Sequence, residues 1–195
     1  VGSRNETTGR TGVSHWVEHM LFKGSERFPK GEFDRLVSRE GGTFNGMTWL
    51  DYTTYFETLP ADRIDLALDI EADRMAGALF DPVEVESERT VIISEREGSE
   101  NHPTFVLREE IQSTAIKVHP YHHHTLGWKG DLRTISRDDL WGHYRRHYHP
   151  ANAIAVAVGP FDPARMVDRI AARFAHVPAG EPTAPVRALE PEQRG

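Results

Sequence analysis

The sequence predicts an α+β fold, and three observations carry that reading. Residues 61–79 and 82–96 place apolar side chains at helical spacing. Residues 43–59 change to a pattern rich in Thr and aromatics, as strands are. Ala153-Ile154-Ala155-Val156-Ala157-Val158-Gly159 is a short apolar run of strand length. At 195 residues the chain is long enough for one core, or one core with a tail.

Composition narrows the function. Hydrophobic content of 38% and charged content of 27% describe an ordinary soluble globular protein. No apolar run approaches the roughly 20 residues of a membrane span. A net charge of -7, with no cluster of Lys and Arg, argues against nucleic acid as a partner. With no cysteine, there are no disulfides, and any metal must be held by His, Asp or Glu. The start at Val1 reads as a cut edge. That leaves the compartment open: cytoplasmic, or periplasmic or secreted if a signal peptide precedes Val1.

Taken in order, residues 2–9 are turn-like and lead into Thr11-Gly12-Val13-Ser14-His15-Trp16-Val17-Glu18-His19-Met20-Leu21-Phe22. In a helix, steps of 100° put His15 and His19 about 40° apart, with Glu18 about 60° to the other side of His15. Val13, Trp16, Val17, Met20 and Leu21 fall on the opposite arc and can be buried. Two imidazoles and a carboxylate would then face a cleft, as a catalytic zinc site requires. Glu18 is placed to take a proton from zinc-bound water. The short pattern needs context before it carries a function.

Gly24 and Pro29 end this helix. A short amphipathic helix follows over Gly31–Glu40, with Phe33, Leu36 and Val37 on one face. Two strands follow, residues 43–49 and 52–59, turning near Leu50-Asp51. Ala61–Leu79 is a helix whose Asp62, Asp65, Asp69, Glu71 and Asp73 are expected on a solvated side. Asp81 caps the next helix, with Pro82 at its first position. That helix, Pro82–Arg96, puts Glu84, Glu88 and Glu95 on the side that also carries Val85, Val91 and Ile92. A carboxylate on an apolar face needs a compensating cation. A metal is one candidate; pairing with Arg89, or a position at the rim, is another.

Phe105–Val118 is expected to be helical. The loop with His119, His122, His123 and His124 is expected to be exposed, without fixed ligand geometry. Ser136 caps a helix through His147, on which His143 and His147 are expected to pack or face solvent rather than bind a second metal. Asp162-Pro163 opens a last helix to about Ala175. Pro178, Pro182, Pro185 and Pro191 mark a linker or tail.

Several segments together resemble one family, the insulinase/pitrilysin-type inverted zinc metallopeptidases. They are Gly12–Gly24 with its His-x-x-Glu-His motif, residues 41–48 with 51–55, Glu88-Arg89 through Glu95, His119-Pro120-Tyr121, and Tyr148–Ala153 into Val158–Pro163. They occur in family order over residues 1–176. The resemblance implies a largely antiparallel sheet with helices on one face. It makes His15, His19 and Glu95 the ligands of one Zn2+, Glu18 the general base, and Glu88 a supporting carboxylate. It assigns Asn45, Gly46 and Met47 to the edge strand along which an extended peptide is laid. The family usually has Ala in place of Gly46 and often Asp in place of Pro160.

By the same resemblance, residues 1–176 form the catalytic half of a clamshell, without the family's opening strands, and 177–195 form a Pro-rich linker or tail. The partners implied are a peptide or unfolded protein substrate and a second homologous half, on the same chain or a partner subunit. The activity implied is zinc-dependent endoproteolysis. The alternative is a non-catalytic scaffold or assembly subunit on the same fold.

Overall fold

The computed structural model describes residues 1–193. The chain enters its first helix through a glycine that has no good replacement. Gly12 lies at φ 89°, and a Cβ there would meet the Leu126 carbonyl oxygen at 2.7 Å. Helix α1 (Val13–Met20) then buries Val13, Trp16, Val17 and Met20 against Phe80, Ile92, Leu132, Leu140 and Tyr144. Its first N–H groups are satisfied from outside the helix. Glu6 accepts from the backbone N–H of Gly12 and of Ser14, each at 2.8 Å, and Asp131 accepts from the Thr11 N–H at 2.9 Å.

Helix α2 (Glu32–Arg39) packs Phe33 and Val37 against Phe28 and Ile70 in a second, smaller cluster. Strands β1 (Thr43–Thr48) and β2 (Thr53–Thr58) are antiparallel, with Thr43 opposite Thr58 and Thr48 opposite Thr53. Alternation turns Phe44, Gly46 and Thr48 inward and leaves Thr43, Asn45 and Met47 exposed. Among the described residues, β1 pairs on one side only, so its other edge is free.

Helix α3 (Ile64–Gly77) follows, and then α4 (Pro82–Glu100), whose N-terminus is capped by the Asp81 carboxylate on Val83 N–H at 2.8 Å. Helices α5 (Pro103–Ala115), α6 (Lys129–Thr134) and α7 (Arg137–His147) come next, α7 opening on a reciprocal Ser136–Asp139 cap. Helix α8 (Pro163–Phe174) is capped by Asp162. The α+β class and its capped helices agree with the sequence reading, and no helix among the described residues is long and apolar enough to cross a membrane.

Five expectations need correction. Residues 153–159 are not a strand: Ile154, Val156 and Val158 are 93%, 81% and 92% exposed, and no strand among the described residues lies beside them. Apolar composition favours extended backbone, but a strand exists through its neighbour's hydrogen bonds. The sheet is therefore two-stranded. Asp73, expected on the solvated side of α3, is buried because the loop after α1 folds over it, and Ser25 donates its hydroxyl to the Asp73 carboxylate. His123, expected in an exposed loop, is 1% exposed and packs edge-on against His122 and Trp128. Val91 faces solvent. Helix α4 continues four residues past Arg96, and α6 had no sequence signal.

Residues 177–193 have neither helix nor strand but lie against the body. Val177 is buried, and Glu190 accepts the backbone N–H groups of Lys117, Val118 and His119. Residues 194–195 of the expected tail lie outside the described residues.

His143 and His147 are both buried and pack ring against ring at 4.6 Å, with His143 Nε2 3.1 Å from the Ser14 hydroxyl. Burial pushes His147 down to about 4, below its ordinary 6.5. The folded state therefore binds fewer protons than the unfolded one. The resulting stability is present above pH 6.5 and is lost as pH falls through 4. Between pH 7 and pH 4.5 the wild type should lose about 2 kcal/mol relative to His147→Gln. Urea denaturation at the two pH values checks this, and parallel losses would contradict it.

Candidate metal centre

Helix α1 presents His15, Glu18 and His19 on the face opposite its buried apolar arc, and α4 crosses it with Glu88 and Glu95. Three donor atoms converge. His15 Nε2 and His19 Nε2 are 3.2 Å apart, and Glu95 Oε2 lies 3.7 Å from the first and 3.6 Å from the second. Tetrahedral bonds of about 2.0–2.2 Å would set ligand atoms roughly 3.3–3.6 Å apart. Among the described residues, this is the one group of His, Asp and Glu close enough to hold a metal ion.

The protonation pattern suits that use. His19 Nδ1 lies 2.8 Å from Glu88 Oε1, so its N–H is donated there and the Nε2 lone pair is left for a metal. Burial, then the neighbouring His19, pushes His15 down to about 3, and the ring is neutral. The two Nε2 atoms face each other at 3.2 Å, a separation that an ion bound to both would span.

Glu88 is nearly sealed. Burial alone would raise its carboxyl, but hydrogen bonds from His19 and from Lys23, whose Nζ is 2.5 Å away, hold it below the usual carboxylate range. The alternative of Arg89 as its partner does not hold: Arg89 instead pairs with Glu86 and donates to the carbonyls of Leu132 and Ile135.

Glu18 is buried beside the three donors, and burial raises its carboxyl above the ordinary value. Gly46 on β1 faces it: a Cβ at Gly46 would come within 3.0 Å of Glu18 Oε1. Asn45 and Met47 point away, with Met47 45% exposed. The three nominated strand residues thus divide between two faces.

Lys23, Thr48 and Glu6 support the site and were not found from sequence. For Thr48 a signal existed: the two-residue period puts it on the same strand face as Gly46. Lys23 and Glu6 had none, because their partners lie on other elements. His119 caps the turn after it, His124 packs against Phe105, and neither His122 nor His123 approaches the three donors closely enough to join them.

Fold and site together define a class, an α+β protein with a His, His and Glu donor set on two helices and a spare buried carboxylate beside it. The chain belongs to the insulinase family, peptidase family M16: the model of that family matches residues 1–129, and the model of the M16 inactive domain matches residues 134–194. It is 36% identical over 160 residues to the zinc protease PqqE of Helicobacter pylori, covering 82% of this chain and 36% of that protein. It is 28% identical over 182 residues to a probable mitochondrial-processing peptidase subunit beta of Arabidopsis thaliana, covering 93% of this chain and 34% of that one. The crystal structure of a protease from Helicobacter pylori superposes with a TM-score of 0.94 at 32% identity, over 99% of this chain and 47% of that chain. The chain thus spans less than half the length of these relatives.

Proposed function

We propose that residues 1–176 are the catalytic half of a zinc metalloendopeptidase that hydrolyses extended peptides or unstructured protein segments, with 177–195 a linker or tail. One observation supports this above the others: His15, His19 and Glu95 bring their donor atoms to one point with Glu18 alongside. In this reading the three hold one Zn2+ ion. When bound, the ion supplies a water whose pKa is lowered to about 7 and polarises the scissile carbonyl.

The protein's own residues do the rest. Glu18 takes the proton of that water and passes one to the leaving amine, so no covalent intermediate with the protein forms. Glu88 holds His19 in the tautomer that turns Nε2 to the metal. The free edge of β1, at Asn45, Gly46 and Met47, offers backbone N–H and C=O groups to an added peptide strand, a mode that tolerates many sequences. A second homologous half closes the cleft. A non-catalytic scaffold on this fold requires none of these four side chains to converge.

The test is cleavage of an unstructured peptide by the protein carrying this chain together with its second half. Cleavage is expected with zinc, lost on chelation and restored by zinc, whereas residues 1–195 alone should be nearly inactive. Failure of the zinc-loaded protein to cut any unstructured peptide would contradict the reading.

A further inference from the structure

Glu18 is held by a side chain that the metal site does not use. Thr48 ends β1, and its hydroxyl donates to Glu18 Oε2 at 2.5 Å, with both residues 7% exposed. A hydroxyl has one proton. The 3.2 Å contact between the hydroxyls of Thr48 and Thr53 therefore has Thr53 as donor, and Thr53 sits directly across the strand pair. Further back, the hydroxyls of Tyr55 and Tyr148 are 2.9 Å apart, and burial keeps both phenols protonated. Arg74, 2% exposed and paired with Glu57 at 3.0 Å, lies 4.2 Å over the Tyr55 ring and fixes this floor in place.

The two oxygens of Glu18 thus meet different surroundings. Oε2 is anchored by Thr48, and Oε1 lies against the bare backbone of Gly46, where a Cβ would approach to 3.0 Å. The terminal torsion of a Glu side chain is otherwise broad and nearly two-fold. The Thr48 hydroxyl, joined by a hydrogen bond from the Thr48 backbone, removes that freedom, and the hydroxyl is the part a side-chain substitution takes away.

We propose that Thr48, backed by Thr53, is a positioning residue for Glu18, holding Oε2 so that Oε1 stays free to receive the proton of the attacking water. The inference rests on the assignment of Glu18 as general base. Misplacement of a reacting group by about 1 Å costs up to about 10²-fold in rate. The peptide strand is assigned to the backbone of Asn45, Gly46 and Met47, which a change in the Thr48 side chain leaves in place, so the loss falls on kcat.

The test uses the two-half protein and the variants Thr48→Val, Thr48→Ser, Thr53→Val and Glu18→Gln, with zinc content measured on each. Thr48→Val keeps the shape without the hydroxyl and should lower kcat about 10- to 100-fold, with zinc content unchanged. KM should stay within about two-fold. Thr48→Ser should restore most of kcat. Thr53→Val, which leaves Thr48 in place, should lower kcat about two- to three-fold, and it decides the case if Thr48→Val does not fold. Wild-type kcat in Thr48→Val, or in Thr53→Val where that arm decides, overturns the proposal, as does a Thr48→Ser variant as slow as Thr48→Val. If Glu18→Gln turns over normally, the general-base reading itself fails. If Glu18→Gln is inactive while Thr48→Val is normal, only the role of Thr48 fails.

Discussion

Replacing Glu18 with glutamine should leave zinc in place and abolish turnover in the two-half protein. The amide has the carboxylate's shape, and its carbonyl oxygen can still accept the Thr48 hydroxyl that lies 2.5 Å from Oε2. His15, His19 and Glu95 keep their positions because Glu18 is absent from their donor set. What disappears is the group that removes a proton from water, and such a base contributes about 10²–10⁴-fold. The expected result is one equivalent of zinc with kcat lowered by at least about 10²-fold. Normal turnover by this variant would refute the role given to Glu18.

Glu88→Ala should have the next largest effect, and through the metal rather than the proton. Its carboxylate is 5% exposed at the side chain and joins Lys23 Nζ at 2.5 Å to His19 Nδ1 at 2.8 Å. Without it Lys23 loses its partner in a mostly buried position, and His19 is free to rotate or change tautomer. Removing one member of a buried charge pair costs about 3–5 kcal/mol when fully buried. Lys23 is a quarter exposed at its side chain, so a loss nearer 2 kcal/mol is expected, as about half that figure. Zinc affinity should fall about 10- to 100-fold, the usual cost of losing a group that orients a ligand. Competition with a chromophoric chelator reads the affinity, and urea denaturation reads the stability. A Glu88→Ala protein that binds zinc like the wild type would show that His19 is oriented by its packing alone.

What the sequence disclosed, and what it did not, follows the range of each interaction. Asp81-Pro82 and Ser136 with Asp139 were legible because a cap and the N–H it satisfies are two or three residues apart. The shared face of His15, Glu18 and His19 was legible because helical steps are fixed. Glu95 as the third donor came from the family resemblance, since composition and period left Glu84, Glu88 and Glu95 equivalent. The strand period places Thr48 on the face of Gly46, but its contact was missed because its partner is 30 residues away on another element. Lys23 was missed for the same reason: what brings it to Glu88 is the crossing of α1 and α4.

The misread strand at residues 153–159 is a different kind of error. Alternating Ala with Ile and Val describes a segment suited to burial on both faces, and that preference is present. Pairing, however, is a property of two segments, and among the described residues the second is missing. Asp73 and His123 failed for a simpler reason. Asp73 is covered by the loop after α1, and His123 packs against His122 and Trp128 with Glu6 3.7 Å away; neither arrangement is written in the local pattern.

The central claim is that two imidazoles on α1 and one carboxylate on α4 grip a single divalent ion. X-ray absorption at the zinc edge of the zinc-loaded chain tests it most directly. One zinc per chain is expected, with two imidazole nitrogens and a carboxylate oxygen at about 2.0–2.2 Å, the oxygen lost in Glu95→Ala. A zinc environment that is unchanged by Glu95→Ala, or that contains only one imidazole, would contradict it.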